Sequence, residues 1–219
     1  MKQLIMKDIR VLGFMNLIIL IIAIGSGYMG TSVSNIYKSN FIYGFSIVIS
    51  IYLITARITT KEYKENSNTL IVSMPVKKFD VVKARYLFMI IYIIAISMII
   101  YLSSNISRIL FDDVSGNSLG LVEISIISSL IIIYLVFNIP FQYYNIGKAQ
   151  IVNAIFYMMI ILTPNILNRY DINILDISLV KKLLTLNLNQ LSITLFGTSI
   201  LLYFISLFVS KFIYEAKEF

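Results

Sequence analysis

From Val11 to Phe212 the sequence is a succession of apolar runs, several close to the roughly 20 residues that a helix needs to cross a bilayer. One long interruption, KEYKENSNTLIVSMPVKKFDVVKARYL (Lys61–Leu87), divides them. Its longest fully aliphatic run is Leu70-Ile71-Val72, far too short to span, so this stretch lies in water between two segments that cross. The chain carries 58% hydrophobic and 13% charged residues. A soluble domain has about 25% charged residues, so half the expected charge is missing. The expected class is therefore an all-α integral membrane protein, a single transmembrane domain over residues 1–219. A long first apolar run followed by several equivalent ones argues against a cleaved signal peptide.

In chain order, MKQLIMKDIRVLGF places Leu4, Ile5, Ile9 and Leu12 on one helical face and Lys2, Lys7, Asp8 and Arg10 on the other. Two readings fit equally: a short helix lying in the membrane interface, or the wet first turns of the next span. The spans are expected at Val11–Met29, Phe41–Ala56, Tyr86–Ser103, Leu121–Ile139, Ile151–Leu167 and Leu191–Phe212, six in all. Arg57 snorkels at the end of the second, Pro140 stops the fourth and Pro164 breaks the fifth near its end. Small residues Gly25-Ser26-Gly27 suit close helix approach in the first. Polar links are expected at Gly30–Asn40, over Asn105–Gly116 and at Phe141–Gln150. In Tyr170–Gln190, Ile172, Leu175, Leu179 and Leu183 recur at helical spacing among Asp176, Lys181 and Lys182, the pattern of an interfacial helix.

Charge orients these elements. With six spans, thirteen of the eighteen Lys and Arg residues fall on the side of both termini and the central stretch, with six acidic residues. The other side has Lys38, Arg108, Arg169, Lys181 and Lys182 against five acids. The whole formal net charge of +7 thus sits on one side, which predicts cytoplasmic termini and a cytoplasmic central stretch. Taken alone, this asymmetry is an ordinary topogenic signal and an anionic-lipid contact. No aromatic-interleaved basic domain is present, so nucleic acid is not an expected partner.

The chemistry-bearing residues are few. Cysteine and histidine are both absent, which removes disulfides, thiol nucleophiles, and the commonest metal ligand and general base. No Gly-x-x-x-x-Gly-Lys-Ser/Thr stretch cradles phosphates, so the chain does not hydrolyse ATP by that route. No paired acids stand inside a span, as a proton-driven transporter would need. Glu123 lies at a predicted span end, an interfacial anchor. Asn16, Ser46, Ser50, Thr55, Ser97, Ser128, Ser129, Asn138, Asn153, Thr194 and Ser206 are polar but uncharged, and read mainly as hydrogen-bond partners between helices.

Within the central stretch, Asn66, Ser67 and Asn68 are N-cap types standing before Thr69-Leu70-Ile71-Val72. Pro75 closes that segment, because the residue before a proline is pushed out of helical geometry. A second helix then starts near Lys77 and runs into the third span. A short amphipathic helix held in this way suits a groove on another protein.

Leu70-Ile71-Val72-Ser73-Met74-Pro75-Val76-Lys77-Lys78-Phe79-Asp80-Val81-Val82-Lys83-Ala84-Arg85-Tyr86-Leu87 resembles the loop between spans two and three of ABC-2 type exporter permeases, with Glu62 and Glu65 matching that family's Glu-rich approach. Ile139-Pro140-Phe141-Gln142-Tyr143-Tyr144-Asn145-Ile146-Gly147-Lys148-Ala149 is similar to its turn before span five, and Ser210–Phe219 to its short charged tail. Gln150 departs from the pattern, standing where a basic residue is common.

The resemblance implies a multi-pass permease of the bacterial cell membrane that pairs with a second permease and rests on a cytoplasmic ATP-binding subunit. ATP and magnesium would bind that subunit, and this chain would hold no cofactor. Carried onto this sequence, it makes Thr69, Leu70, Val72, Met74 and Pro75 groove contacts of a coupling helix, with Lys77, Lys78 and Asp80 as rim charges and Glu62 and Glu65 as further coupling residues on the approach. Tyr144, Gly147 and Lys148 would form a second cytoplasmic contact. Compact permeases of this kind in Gram-positive bacteria export hydrophobic or amphipathic peptides such as bacteriocins or phenol-soluble modulins, or serve self-protection. The rival readings are a membrane sensor or assembly scaffold that recruits a partner through the same loop, and a secondary transporter with a buried ionisable residue.

Overall fold

A computed structural model describes residues 2–65, 77–111, 116–169 and 187–216, except for the side chains of Glu65 and of residues 159–169. The described residues fold as seven helices: α1 (Lys2–Leu12), α2 (Met15–Thr31), α3 (Ile36–Glu65), α4 (Lys78–Leu110), α5 (Leu121–Tyr144), α6 (Ile146–Arg169) and α7 (Leu188–Glu215). Of these, α3, α4, α5 and α7 are long and apolar enough to cross a membrane, and α1 with α2 makes a fifth candidate if the bent pair counts as one span.

Two helical stripes build the core. On α3, Tyr43, Ile47, Ile51, Ile54 and Ile58 are completely buried, at steps of three and four residues. On α4, Val82, Tyr86, Met89, Ile93, Ile96 and Ile100 follow the same period, the spacing that keeps one helix face against its neighbours. Helix α4 packs on α2, α7, α1 and α3; α5 packs most extensively on α7; and α6 joins the bundle through α3 and α5.

The N-terminal segment forms a helix of its own. Gly13 has φ +50°, a left-handed conformation that glycine adopts without a Cβ penalty, and α1 meets α2 at 77°. The bend sets α1 nearly perpendicular to α2, a geometry that suits an interfacial helix as well as a broken span. The first run therefore starts at Met15 rather than Val11.

Several expected boundaries move. Helix α3 begins at Ile36 and continues to Glu65, beyond the Phe41–Ala56 span on both sides. Helix α4 runs past Ser103 to Leu110, so Asn105 and Arg108 are helical rather than in a link, and Asn105 bonds back to the Tyr101 carbonyl at 2.8 Å. Helix α5 passes through Pro140 to Tyr144. Proline removes the N–H that would bond the carbonyl four residues earlier, at Val136. The Ser206 hydroxyl of α7 donates to that carbonyl at 2.7 Å, so the proline is accommodated. The expected Phe141–Gln150 turn shrinks to Asn145, whose extended backbone separates α5 from α6. Helix α6 in turn runs through Pro164 to Arg169. The interfacial helix expected at Tyr170–Gln190 lies outside the described residues up to 186, and Leu188–Gln190 belong to α7.

At one end of the bundle the α2–α3 turn meets the α4–α5 link. The Gly116 amide bonds Thr31 O at 2.9 Å, and the Tyr43 hydroxyl bonds Asn117 O at 2.9 Å. A Cβ on Gly116 would stand 2.3 Å from Thr31 O, so glycine is required there. Glu123 folds back over Gly120 in the first turn of α5, where a carboxylate complements the helix dipole.

Candidate functional site

The other end gathers α1, the end of α3, the start of α4 and the end of α7. Residues 66–76 connect α3 to α4 there, so Thr69, Leu70, Val72, Met74 and Pro75 lie outside the described residues. What the structure shows is how the two helices entering and leaving that segment are held.

Arg85 projects from α4 on the buried side, three residues after Val82 and four before Met89. Its Nη2 donates to Glu62 Oε1 of α3, and its Nε stands 3.3 Å from Asp8 Oδ2 of α1. Lys7 closes the cluster, its Nζ 3.6 Å from Asp8 Oδ1 and 3.7 Å from Glu62 Oε1. Asp8, Glu62 and Arg85 are all buried, at 4%, 8% and 6% exposure. Two cations balance two carboxylates, and the planar guanidinium presents its N–H groups to both acids at once. Burial raises the Asp8 carboxyl above its ordinary value of 3.8, with Arg85 and Lys7 pulling the other way.

A second set of contacts ties the start of α4 to the end of α7. Lys78 donates to the Glu215 carbonyl at 3.2 Å, a cation at the negative end of a helix. The Phe79 ring lies under the ammonium groups of Lys83, at 4.0 Å, and Lys211, at 5.0 Å. Two turns beyond Phe79, the Tyr86 hydroxyl meets Ser206 Oγ at 2.7 Å and Ser210 Oγ at 2.8 Å, while the Tyr203 hydroxyl donates to Tyr86 O at 2.8 Å.

Among the candidate residues taken from sequence, Lys77 is exposed and Lys78 and Asp80 are half-buried on the first turn of α4. Glu62 points inward to Arg85, and the backbone of Glu65 ends α3. Tyr144 and Lys148 are exposed and paired, with the ammonium 4.9 Å from the ring, and the amide of Lys148 bonds Asn145 Oδ1 at 3.2 Å. Gly147 sits beside that side chain. The neighbouring Tyr143 ring packs tilted against Tyr214, centroids 5.0 Å apart, which places this turn at the same end of the bundle as Glu62 and Arg85.

Sequence reasoning missed Asp8, Lys7 and Arg85 as a cluster. Arg85 was readable: it occupies the apolar stripe of α4, where a buried cation demands acids opposite. Which acids those are is set by helix packing.

Deeper in the bundle, α3, α5 and α6 share a polar network. Tyr134 OH contacts Thr55 at 3.1 Å and donates to Asn153 Oδ1, which also accepts from Asn138, and Gln142 donates to Asn138. Between α4, α5 and α7 runs an apolar groove of about 430 Å³, lined by Ile94, Ser97, Met98, Ser128 and Phe196. Among the described residues no group of acids forms a metal site.

The model of a family described as ABC-2 family transporter protein matches residues 3–215. No curated protein and no solved structure matches the chain significantly.

Proposed function

Because the chain belongs to the ABC-2 transporter family, as a multi-pass permease component of an ABC transporter, we propose that it is the permease of an ATP-driven exporter. Family members work with a separate ATP-binding subunit. Here the α3–α4 connection, residues 66–76, is the element that receives the movement of that subunit. The observation that carries this reading is the buried Arg85–Glu62–Asp8 cluster at the root of the connection. A push on the segment cannot be absorbed locally, because both of its flanks are fastened to α1 and, through Lys78 and Phe79, to α7.

In this reading Thr69, Leu70, Val72, Met74 and Pro75 contact the ATP-binding subunit, with Lys77, Lys78 and Asp80 at the rim and Tyr144 and Lys148 as a second contact. The chain crosses the bacterial plasma membrane six times with both termini in the cytoplasm. The gathering of α1, the α3–α4 connection and the end of α7 at one end supports that topology. The permease pairs with a second permease to complete the path. An amphipathic peptide is the favoured cargo, supported by the apolar groove with its Ser97 and Ser128 hydroxyls.

Co-purification tests the coupling role. The full chain should pull down an ATPase, and deletion of residues 66–76 should abolish capture while membrane insertion survives. No ATPase, or capture that persists after the deletion, overturns the reading.

A further inference from the structure

The 77° bend between α1 and α2 leaves a cleft against the last turns of α3. It encloses about 590 Å³ lined by Lys2, Lys7, Arg10 and Lys61, and it continues past Arg10 and Lys61 into a second hollow of about 320 Å³ lined by Gly13, Phe14, Met15 and Arg57. Five cations therefore surround two adjoining hollows that share Arg10, Val11 and Lys61, and among the described side chains no acidic one lines them. Among the described side chains, the carboxylates of Asp8 and Glu62 on the adjoining helices are turned inward and balanced by Arg85 and Lys7. Lys2, Arg10 and Arg57 are in excess of what those two acids neutralise.

The recess changes character along its length. At its α2 end Phe14 is 74% exposed, and Leu17, Ile21, Ile24 and Tyr28 continue from it as an exposed apolar stripe up α2. A ligand matching both parts has an anion at one end and hydrocarbon at the other. Free phosphate would use only the cationic end. α1 and α2 together form a bent span candidate broken beside the recess, and basic recesses between membrane helices meet acidic lipid heads.

We propose that this cleft binds an anionic phospholipid, its phosphate held by Arg10, Arg57 and the lysines around them and its acyl chain laid along Phe14 to Tyr28. The bound lipid fills the angle between α1 and α2 and sets how α1, and with it Asp8, meets Arg85. The site is independent of the permease reading: it needs only a chain seated in a membrane.

The test uses the full chain, delipidated in neutral detergent and titrated with short-chain phosphatidylglycerol, with phosphatidylcholine of the same chains, and with inorganic phosphate. Native mass spectrometry reads occupancy. Phosphatidylglycerol should bind at low stoichiometry and should outcompete phosphatidylcholine. Losing two cations at roughly fivefold each, Arg10→Gln with Arg57→Gln should weaken binding about 25-fold. The Arg10→Lys with Arg57→Lys variant keeps the charge and should bind within a few-fold of the parent. Lys38→Gln with Arg108→Gln, at the other end of the bundle, should change nothing. Equal binding of phosphatidylcholine, equal binding of inorganic phosphate, an unaffected Gln variant or an equal loss in the distal variant each overturns the site.

Discussion

Arg85 donates from α4 to Glu62 on α3 across 23 residues of sequence, closing the base of the segment that joins the two helices. At 1.5 Å per residue, α3 and α4 are about 45 and 50 Å long, against a hydrocarbon core of about 30 Å. Both helices therefore project well beyond the lipid. An untied pair of projecting ends would splay, and the ion cluster fixes their spacing at the point where residues 66–76 begin and end.

Removing Arg85 leaves two buried carboxylates facing each other with only Lys7 between them. Arg85→Ala should lose about 3–5 kcal/mol, the usual cost of breaking a buried pair from one side. Arg85→Lys should recover part of this, since a single ammonium cannot present a fork to Asp8 and Glu62 together. Thermal unfolding of the purified chain reads both. A double-mutant cycle of Glu62→Gln and Arg85→Gln should give coupling above about 1 kcal/mol, and additive losses would deny the tie.

Asp8 gives the cluster a pH signature. Burial raises its folded-state pKa above the ordinary 3.8, despite Arg85 and Lys7, with Glu62 adding to the rise. Tyr92 and Tyr143 also face it. A carboxyl raised on folding contributes stability that is complete below the ordinary value and lost as pH rises through the raised one. Acidifying from neutral pH towards the raised pKa should therefore increase the Asp8 contribution to stability. Asp8→Asn should flatten that part of the melting temperature against pH. An unchanged profile would place Asp8 in water.

The long helices were legible because each contains a long, predominantly apolar run. Their ends were not, because residues 57–65 and 105–110 mix polar and charged residues into helix that continues past the apolar stretch. Pro140 was taken as a stop, a rule that presumes the freed Val136 carbonyl has no partner; Ser206, 70 residues away, supplies one. Arg85 read as one more cytoplasmic-side cation on the helix leading into the third span, because charge was counted along the chain, although its register with Val82 and Met89 places it among buried residues. Asp8 read as part of the polar face of α1, since only the packing of α1 on α4 turns it inward.

The small-residue patch in α2 separates into two roles. A Cβ on Gly27 would stand 1.8 Å from Ser103 Oγ and 2.7 Å from Ser103 Cβ, where α2 meets α4, whereas nothing lies within 4 Å of a Cβ on Gly25. Gly27→Ala should cost about 1–3 kcal/mol through overpacking. Gly25→Ala should be neutral or stabilising by up to about 1 kcal/mol, from helix propensity. Equal effects at the two positions in thermal unfolding would mean that α2 and α4 do not approach as described.

Ser206 offers the most discriminating cycle, because its hydroxyl serves a carbonyl that a proline has left open. Ser206→Ala should cost about 0.6–1.7 kcal/mol, the range for hydrogen bonds between membrane helices. Part of that loss comes from Val136 and part from Tyr86, which also reaches Ser210. Pro140→Ala restores the N–H that bonds Val136 within α5 itself. In that background the Val136 share vanishes, so Ser206→Ala should cost measurably less than in the parent. If the loss is the same in both backgrounds, the hydroxyl acts through Tyr86 alone, and the passage of α5 through Pro140 needs another explanation.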